Sequence, residues 1–348
     1  MINDPKNILI VRTDRIGDVI LTTPSIAALR QHYPKAKISI LVAPATYDLV
    51  DGNSCLDEII IDDRAGEHKG VGYFKLISLI RRKRFDVAII YHTKRRTNLA
   101  CFLAGIPIRI GYKNKKFGFL LTHPIVDARQ KGEKHEALYC LEVLKELGIE
   151  STDMSVYLPV AEKSVQWVER FTMDHKIEKN DQLIAIHAGA SDPSKQWSEK
   201  NFAELVENLI DRYKAKIVMI GSSQVSDDAK KIILLVNGSI IDVTGQTTVG
   251  QLAALITRCD LLISNDSGPV HIAAGVGTPV ISIFTRNQPG INPERWKPLS
   301  ERSRVVSVSS SQSRNISFKK ARSMDAAYAE LIAPTEVLEA VDSLFKLC

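Results

Sequence analysis

The stretch ISNDSGPVHIAAGVGTPVISI, residues 263–283, decides how this chain folds. Leu261–Ser264 reads as a short buried strand, broken by Asn265-Asp266-Ser267-Gly268. A helix opens at Pro269, a residue suited to a first helical turn. Gly275-Val276-Gly277 ends it before the strand Val280–Phe284. Strand, polar loop, helix, strand is the repeating unit of a parallel sheet. A helix start leaves backbone N–H groups unpaired and carries partial positive charge, so it can hold a phosphate. Ser267 and Gly268 allow close backbone approach, and His271 lies in the first turn. The same residues read equally well as an N-cap, Asp266, followed by a simple turn.

Outward from this unit the alternation continues in both directions. Upstream lie strands at Leu183–Ile186, Lys216–Ile220 and Ile240–Val243, with helices at Ser198–Tyr213, Ser226–Val236 and Val249–Arg258. Earlier still are strands Asn7–Val11, Lys37–Val42, Glu58–Ile61, Asp86–Ile90 and Ile108–Ile110. Between and after them come helices at Asp18–His32, Gly72–Arg82, Thr97–Ala104 and Glu133–Leu147, the last stopped by Gly148. The segment around 150–159 has little helical period and separates two α/β domains of similar size, 1–158 and 159–333, leaving an amphipathic helix at Thr335–Leu347. Ligands of such sheets bind beyond the carboxyl ends of the strands. Three loops qualify: RTDRIGD (12–18) with Gly17 and the carboxylates Asp14 and Asp18, HAGASDPSKQW (187–197) with Ser191 and Lys195, and the opening stretch. VTGQTT (243–248), with Thr247, is a weaker fourth. Asp18 alone also reads as a helix-start acid, and Lys195 as an incidental loop lysine.

Composition excludes several classes. With 45% hydrophobic and 25% charged residues over 348 positions, the chain can build two cores, but no apolar run reaches bilayer-spanning length. MINDPKNILIVRT enters a strand almost at once and lacks a signal peptide's layout, and the five cysteines are scattered without CxxC spacing. A cytoplasmic protein with reduced thiols is expected. No dinucleotide GxGxxG follows the first strand, and neither a DxD pair nor a His/Asp cluster has metal-ligand spacing, so no cofactor and no metal are expected. The net charge of +6 is uneven: residues 64–134 hold 17 Lys and Arg against 4 Asp and Glu. Such a bias points to an anionic partner. Nucleic acid is disfavoured, because aromatics are few and no reading motif appears.

RIGDVILTTPSIAALRQHYP, GASDPSKQW, AGIPIRIGY, VTGQTTVGQLAALITRCDLLISNDSGPVHIAAGVGTPVISIF and PTEVLEAVDSLF together resemble glycosyltransferase family 9 over nearly the whole chain. The best-known members are the ADP-heptose:lipopolysaccharide heptosyltransferases of Gram-negative bacteria. The resemblance implies a GT-B fold, two facing Rossmann-like domains around a central cleft, with the acceptor in the first domain, the nucleotide sugar in the second, and the last helix (334–348) packed back on the first. It implies inverting transfer of heptose from ADP-heptose to the anionic lipopolysaccharide inner core. Asp18 matches the family's general base and Lys195 its diphosphate lysine. Asp266 falls near the sugar, Ser267, Gly268 and His271 at the phosphates, and Thr247 near adenine. Gly17 and Ser191 join the donor set. Arg95, Arg96, Lys113, Lys115 and Lys116 are the acceptor contacts, or else meet the anionic inner membrane surface.

The chain departs from the family pattern in three places. FTRNQPGINPERW (284–296) stands for the usual FGPTDP, placing Arg286 and Asn287 at the sugar end; no cysteine lies in Val305–Met324; and GSSQVSDD (221–228) offers Ser223 where some members carry an acid. Another donor sugar, a GT-B-like sugar-nucleotide epimerase or hydrolase, and a non-catalytic module using its basic patch on nucleic acid therefore stay open.

Overall fold

The computed structural model describes residues 4–308 and 330–346. The chain divides into two compact units, Met1–Pro159 and Val160–Cys348. In the first, the elements run β1 (Asn7–Val11), α1 (Ile16–Ile20), α2 (Thr23–His32), β2 (Lys37–Val42), β3 (Glu58–Ile61), α3 (Tyr73–Arg82), β4 (Val87–Ile90), α4 (Arg95–Leu103), β5 (Ile108–Tyr112), β6 (His123–Ile125) and α5 (Glu136–Val143). Its sheet has the order β3-β2-β1-β4-β5-β6, with every pairing parallel. The strands are nearly continuous runs of Ile, Leu and Val because helices cover both faces. Leu9, Leu41, Ala88 and Ile90 meet Leu76, Ile80 and Cys101 in one core.

The helix read over 18–32 is two. Pro24 has no N–H to give the carbonyl of Ile20, so the Thr23 hydroxyl takes that carbonyl at 2.7 Å, and the Thr22 hydroxyl takes the Asp18 carbonyl at 2.8 Å. The break leaves Asp18 on a five-residue helix of its own. Likewise α5 begins only after His135, whose side chain accepts from the Ala137 N–H, and it closes as a 3₁₀ turn before Gly148 at φ 75°.

The second unit runs α6 (Glu162–Asp174), β7 (Leu183–His187), α7 (Glu199–Tyr213), β8 (Lys216–Met219), α8 (Ser226–Leu235), β9 (Ile240–Asp242), α9 (Val249–Arg258), β10 (Leu261–Asn265), α10 (Gly268–Val276), β11 (Val280–Phe284), α11 (Pro293–Trp296), β12 (Ser303–Ser307) and α12 (Pro334–Phe345). Its sheet order is β12-β11-β10-β7-β8-β9, again all parallel. Caps set the helix starts: Ser198 receives the Asn201 N–H, and Thr248 with Gln251 forms a capping box. Gly277 ends α10 at φ 83°, a left-handed residue where glycine pays no steric cost. The short edge strands β6 and β12 have no counterpart in the sequence reading. The apolar side of α12, Val337, Leu338, Val341 and Leu344, is buried in the second unit's own core with Phe202 and Ile281. The cysteine-free segment noted above runs mostly outside the described residues, as does the end of the last helix.

Candidate active site

Each sheet reverses its winding once. In the first unit, β1, β2 and β3 spread one way and β4, β5 and β6 the other; in the second the reversal lies between β7 and β10. At a reversal the two crossover helices leave in opposite directions, which opens a crevice beyond the strand ends. The three loops that follow β1, β7 and β10 emerge at these points, while 243–248 follows the edge strand β9.

At the first unit's reversal stands Arg12, directly after β1 and fully buried. Its Nη2 donates to Asp18 Oδ1 at 2.7 Å and to Glu136 Oε1 at 3.1 Å, its Nη1 to the Tyr91 carbonyl at 3.0 Å, and its Nε to the Asp18 carbonyl at 3.1 Å, with Asp14 Oδ1 at 3.3 Å. A second cation, Arg129, reaches the same Tyr91 carbonyl at 3.1 Å, lies 3.6 Å from Glu136 and stacks 3.8 Å over the Tyr112 ring. The Asp18 side chain keeps 16% of its exposure. Burial pushes its carboxyl up, Arg12 pulls it down, and Asp14 and Glu136 push it up again, to about 6. Asp14 also feels burial, but Arg12 and Lys94 bring it below the ordinary carboxylate range. His92 is held uncharged by burial, at about 3. Lys94 donates to the Thr13 carbonyl at 3.0 Å. Gly17 lies buried inside α1 of the first unit; the other residues expected in the donor set belong to the second.

At the second unit's reversal, His187 ends β7. Its Nδ1 lies 3.2 Å from Ser264 Oγ and 3.0 Å from Ser267 Oγ, and burial keeps the ring uncharged, at about 4. Ser267 is thus held from within and does not cap α10, whose first turn receives no side-chain cap. That is the condition in which a helix start accepts an anion. Asn265 accepts the Trp197 N–H at 3.0 Å and donates to the Ala188 carbonyl, tying the two loops together. Asp266, read alternatively as the N-cap, instead forms an ion pair with Lys195. Ser194 and Asp192 shape the turn that presents this lysine, and Thr285 donates to the Ser194 carbonyl at 2.8 Å. Arg286, one of the departures, faces Asp192 at 3.6 Å. His271 is buried in the first turn of α10, Ser191 and Ser223 are exposed, and Thr247 is half-buried. A cation, a carboxylate and an uncapped helix start at one strand end can hold a diphosphate and the group attached to it.

A sequence profile of glycosyltransferase family 9 (heptosyltransferase) matches residues 73–328. This chain belongs to glycosyltransferase family 9. It is 25% identical to lipopolysaccharide heptosyltransferase 2 of Escherichia coli K12, over 97% of this chain and 98% of that one. The solved family 9 glycosyl transferase of Veillonella parvula is 26% identical and matches 99% of this chain and 98% of its own with a TM-score of 0.87. The E. coli ADP-heptose lps heptosyltransferase II structure, at 22% identity, shares the fold with a TM-score of 0.77 over 97% and 98% of the two chains. The α/β, GT-B fold class therefore holds, and the protein is a glycosyltransferase.

Within this family 9 enzyme the five basic residues expected at the acceptor are not equivalent. Arg95, Lys113, Lys115 and Lys116 are exposed. Arg96 is committed elsewhere: its guanidinium grips the fully buried Asp62 through two bonds of 2.8 and 2.7 Å, donates to the His68 carbonyl at 2.9 Å and lies 4.3 Å over the Tyr73 ring. Sequence reasoning also passed over Arg12, Glu136 and Lys94. Arg12 carried a signal, a cation directly after a buried strand; nothing in the sequence linked Glu136 to it. Replacing Arg96 by Gln should destabilise the first unit by roughly 2–3 kcal/mol, because Asp62 then stays buried without its cation. Arg95→Gln should stay within about 0.5 kcal/mol of wild type. Urea denaturation of the two variants checks this; equal stabilities would return Arg96 to the free surface charges.

Proposed function

We propose that this enzyme moves heptose from ADP-heptose to a hydroxyl of the lipopolysaccharide inner core with inversion at the transferred carbon. The observation that carries the reading is Asp18: a partly exposed carboxyl at a strand reversal, oriented by Arg12 and raised to about 6. Such a group is ionised near neutral pH yet more basic than an ordinary carboxylate, which suits a general base. Asp18 takes the acceptor hydroxyl proton as that oxygen bonds to the sugar carbon, and the bond from that carbon to the diphosphate oxygen breaks. ADP leaves with the charge. Lys195 and the first turn of α10 meet that charge, which needs no metal in addition. Asp266 holds Lys195 until the diphosphate competes for it. Ser267, Gly268 and His271 line the phosphate side, and Thr247 and Ser191 the nucleotide side. The exposed cations Arg95, Lys113, Lys115 and Lys116 suit an acceptor rich in carboxylate and phosphate. The relatives named above, lipopolysaccharide heptosyltransferase 2 and ADP-heptose lps heptosyltransferase II, support donor and acceptor class. The reading keeps the enzyme cytoplasmic, beside its donor.

ADP release in EDTA, with delipidated inner core as acceptor and a panel of nucleotide sugars as donors, tests this directly. ADP-heptose should be the best donor; preference for another sugar would trace to the Arg286 loop and overturn the heptose assignment. Asp18→Asn should lose about 10²–10⁴-fold in turnover while binding donor as wild type does. Lys195→Ala should weaken ADP binding on the order of tenfold, the worth of one charge-assisted hydrogen bond. Unchanged calorimetric affinity for ADP would make Lys195 a partner of Asp266 alone.

A further inference from the structure

Among the exposed large apolar side chains of the first unit are Val71, 86% exposed, Phe74, 65%, and Phe119, 80%. Singly such residues are ordinary. Here a chain of ring and cation contacts joins two of them. The Phe74 ring lies 6.3 Å from Tyr73, Arg96 covers Tyr73 at 4.3 Å, the adjacent Arg95 lies 5.7 Å over Phe117, and Phe117 meets Phe119 edge-on at 5.7 Å. Tyr73 also donates to the Arg96 carbonyl, fixing the start of α3 to the start of α4. Val71 sits in the 3₁₀ turn that leads into α3. Phe117 adopts φ 64°, a left-handed conformation unusual for a bulky residue, at the turn that presents Phe119.

The cations around these tips have few carboxylates to oppose them. Of the four acids in 64–134, Asp86 accepts the N–H groups of Lys6 and Asn7, Asp127 pairs with Arg129, and Glu67 lies 3.8 Å from Lys75. Arg95, Lys115 and Lys116 are exposed. A sugar-phosphate acceptor in water asks for cations but not for protruding phenyl rings. Apolar tips backed by Lys and Arg match a bilayer surface, where rings enter the headgroup boundary and cations meet lipid phosphates. Among the described residues no helix is long and apolar enough to cross a membrane, so the contact is peripheral.

We propose that this face, formed by the starts of α3 and α4 and residues 113–120, docks the enzyme on an anionic phospholipid bilayer. Val71, Phe74 and Phe119 enter the interface, and Arg95, Lys115 and Lys116 contact headgroup phosphates. The inference rests on the proposed lipid-linked acceptor only for its purpose; the vesicle measurement that decides it uses neither donor nor acceptor, and turnover serves only as the control for folding. The full chain is sedimented with sucrose-loaded vesicles of phosphatidylethanolamine and phosphatidylglycerol, and with phosphatidylcholine alone. Wild type should bind the anionic vesicles, and binding should fall steeply with salt, since the Debye length shrinks from ~10 Å at 0.1 M to ~3 Å at 1 M. A Phe74→Ser/Phe119→Ser double variant should bind about tenfold or more weakly. It should keep wild-type turnover on soluble delipidated acceptor, which shows that it folds. Equal vesicle binding by wild type and variant, or none by either, overturns the proposal. So does a wild-type dimer in analytical ultracentrifugation that the variant abolishes, which assigns the face to a second copy. Tighter binding to an oligonucleotide than to the vesicles also overturns it. Failure of turnover with intact vesicle binding would count against the proposed reaction and leave the docking face standing.

Discussion

A guanidinium cannot sit fully buried without anions around it. Arg12 does sit so, at the end of β1, and the first unit is arranged to satisfy it. Asp14 and Asp18 come from the loop and short helix that follow, the Tyr91 carbonyl from the end of β4, and Glu136 from the start of α5. Three segments far apart in sequence, residues 12–18, Tyr91 and Glu136, therefore meet on one side chain. The same contacts set the chemistry. Arg12 is shared among three carboxylates, and Asp18, facing both burial and its acidic neighbours, stays high while Asp14 is lowered. Packing and basicity have a common cause.

The second unit uses the same place in its sheet for the opposite charge. Neutral His187 holds Ser264 and Ser267 from within, Asn265 ties the β7 loop to the β10 loop, and Lys195 is brought to Asp266 at the mouth of α10. Buried uncharged groups do the positioning, while the cation remains partly exposed. Asp266 thus keeps Lys195 oriented at the mouth of α10.

The strands were legible because parallel, doubly covered strands are apolar on both faces, and Asn7–Val11, Lys37–Val42 and Val280–Phe284 end where the residues say they should. The loops after β1, β7 and β10 were legible because strand ends precede them. What escaped depends on distant partners. The break between α1 and α2 turns on hydroxyls replacing the N–H of Pro24. β6 has only three residues, and β12, SRVVS, is more polar than the strands that were read. Glu136 lies 124 residues from Arg12, and Arg96 lies 34 from Asp62, so neither pairing leaves a local trace. Charge counting grouped Arg96 with the exposed cations; only the structure shows its buried partner Asp62.

The most direct test of the role assigned to Asp18 is the pH dependence of kcat/KM for transfer. A general base must be ionised, so the rate should fall as pH drops through the Asp18 pKa, with an acid limb near pH 6, tenfold per pH unit below it. Glu136→Gln removes one of the negative charges that raise Asp18, so in this variant the limb should move to lower pH, while any titration of the substrates stays in place. A limb near pH 4, an ordinary carboxylate's value, or a limb near 6 that Glu136→Gln leaves unmoved, would contradict the account.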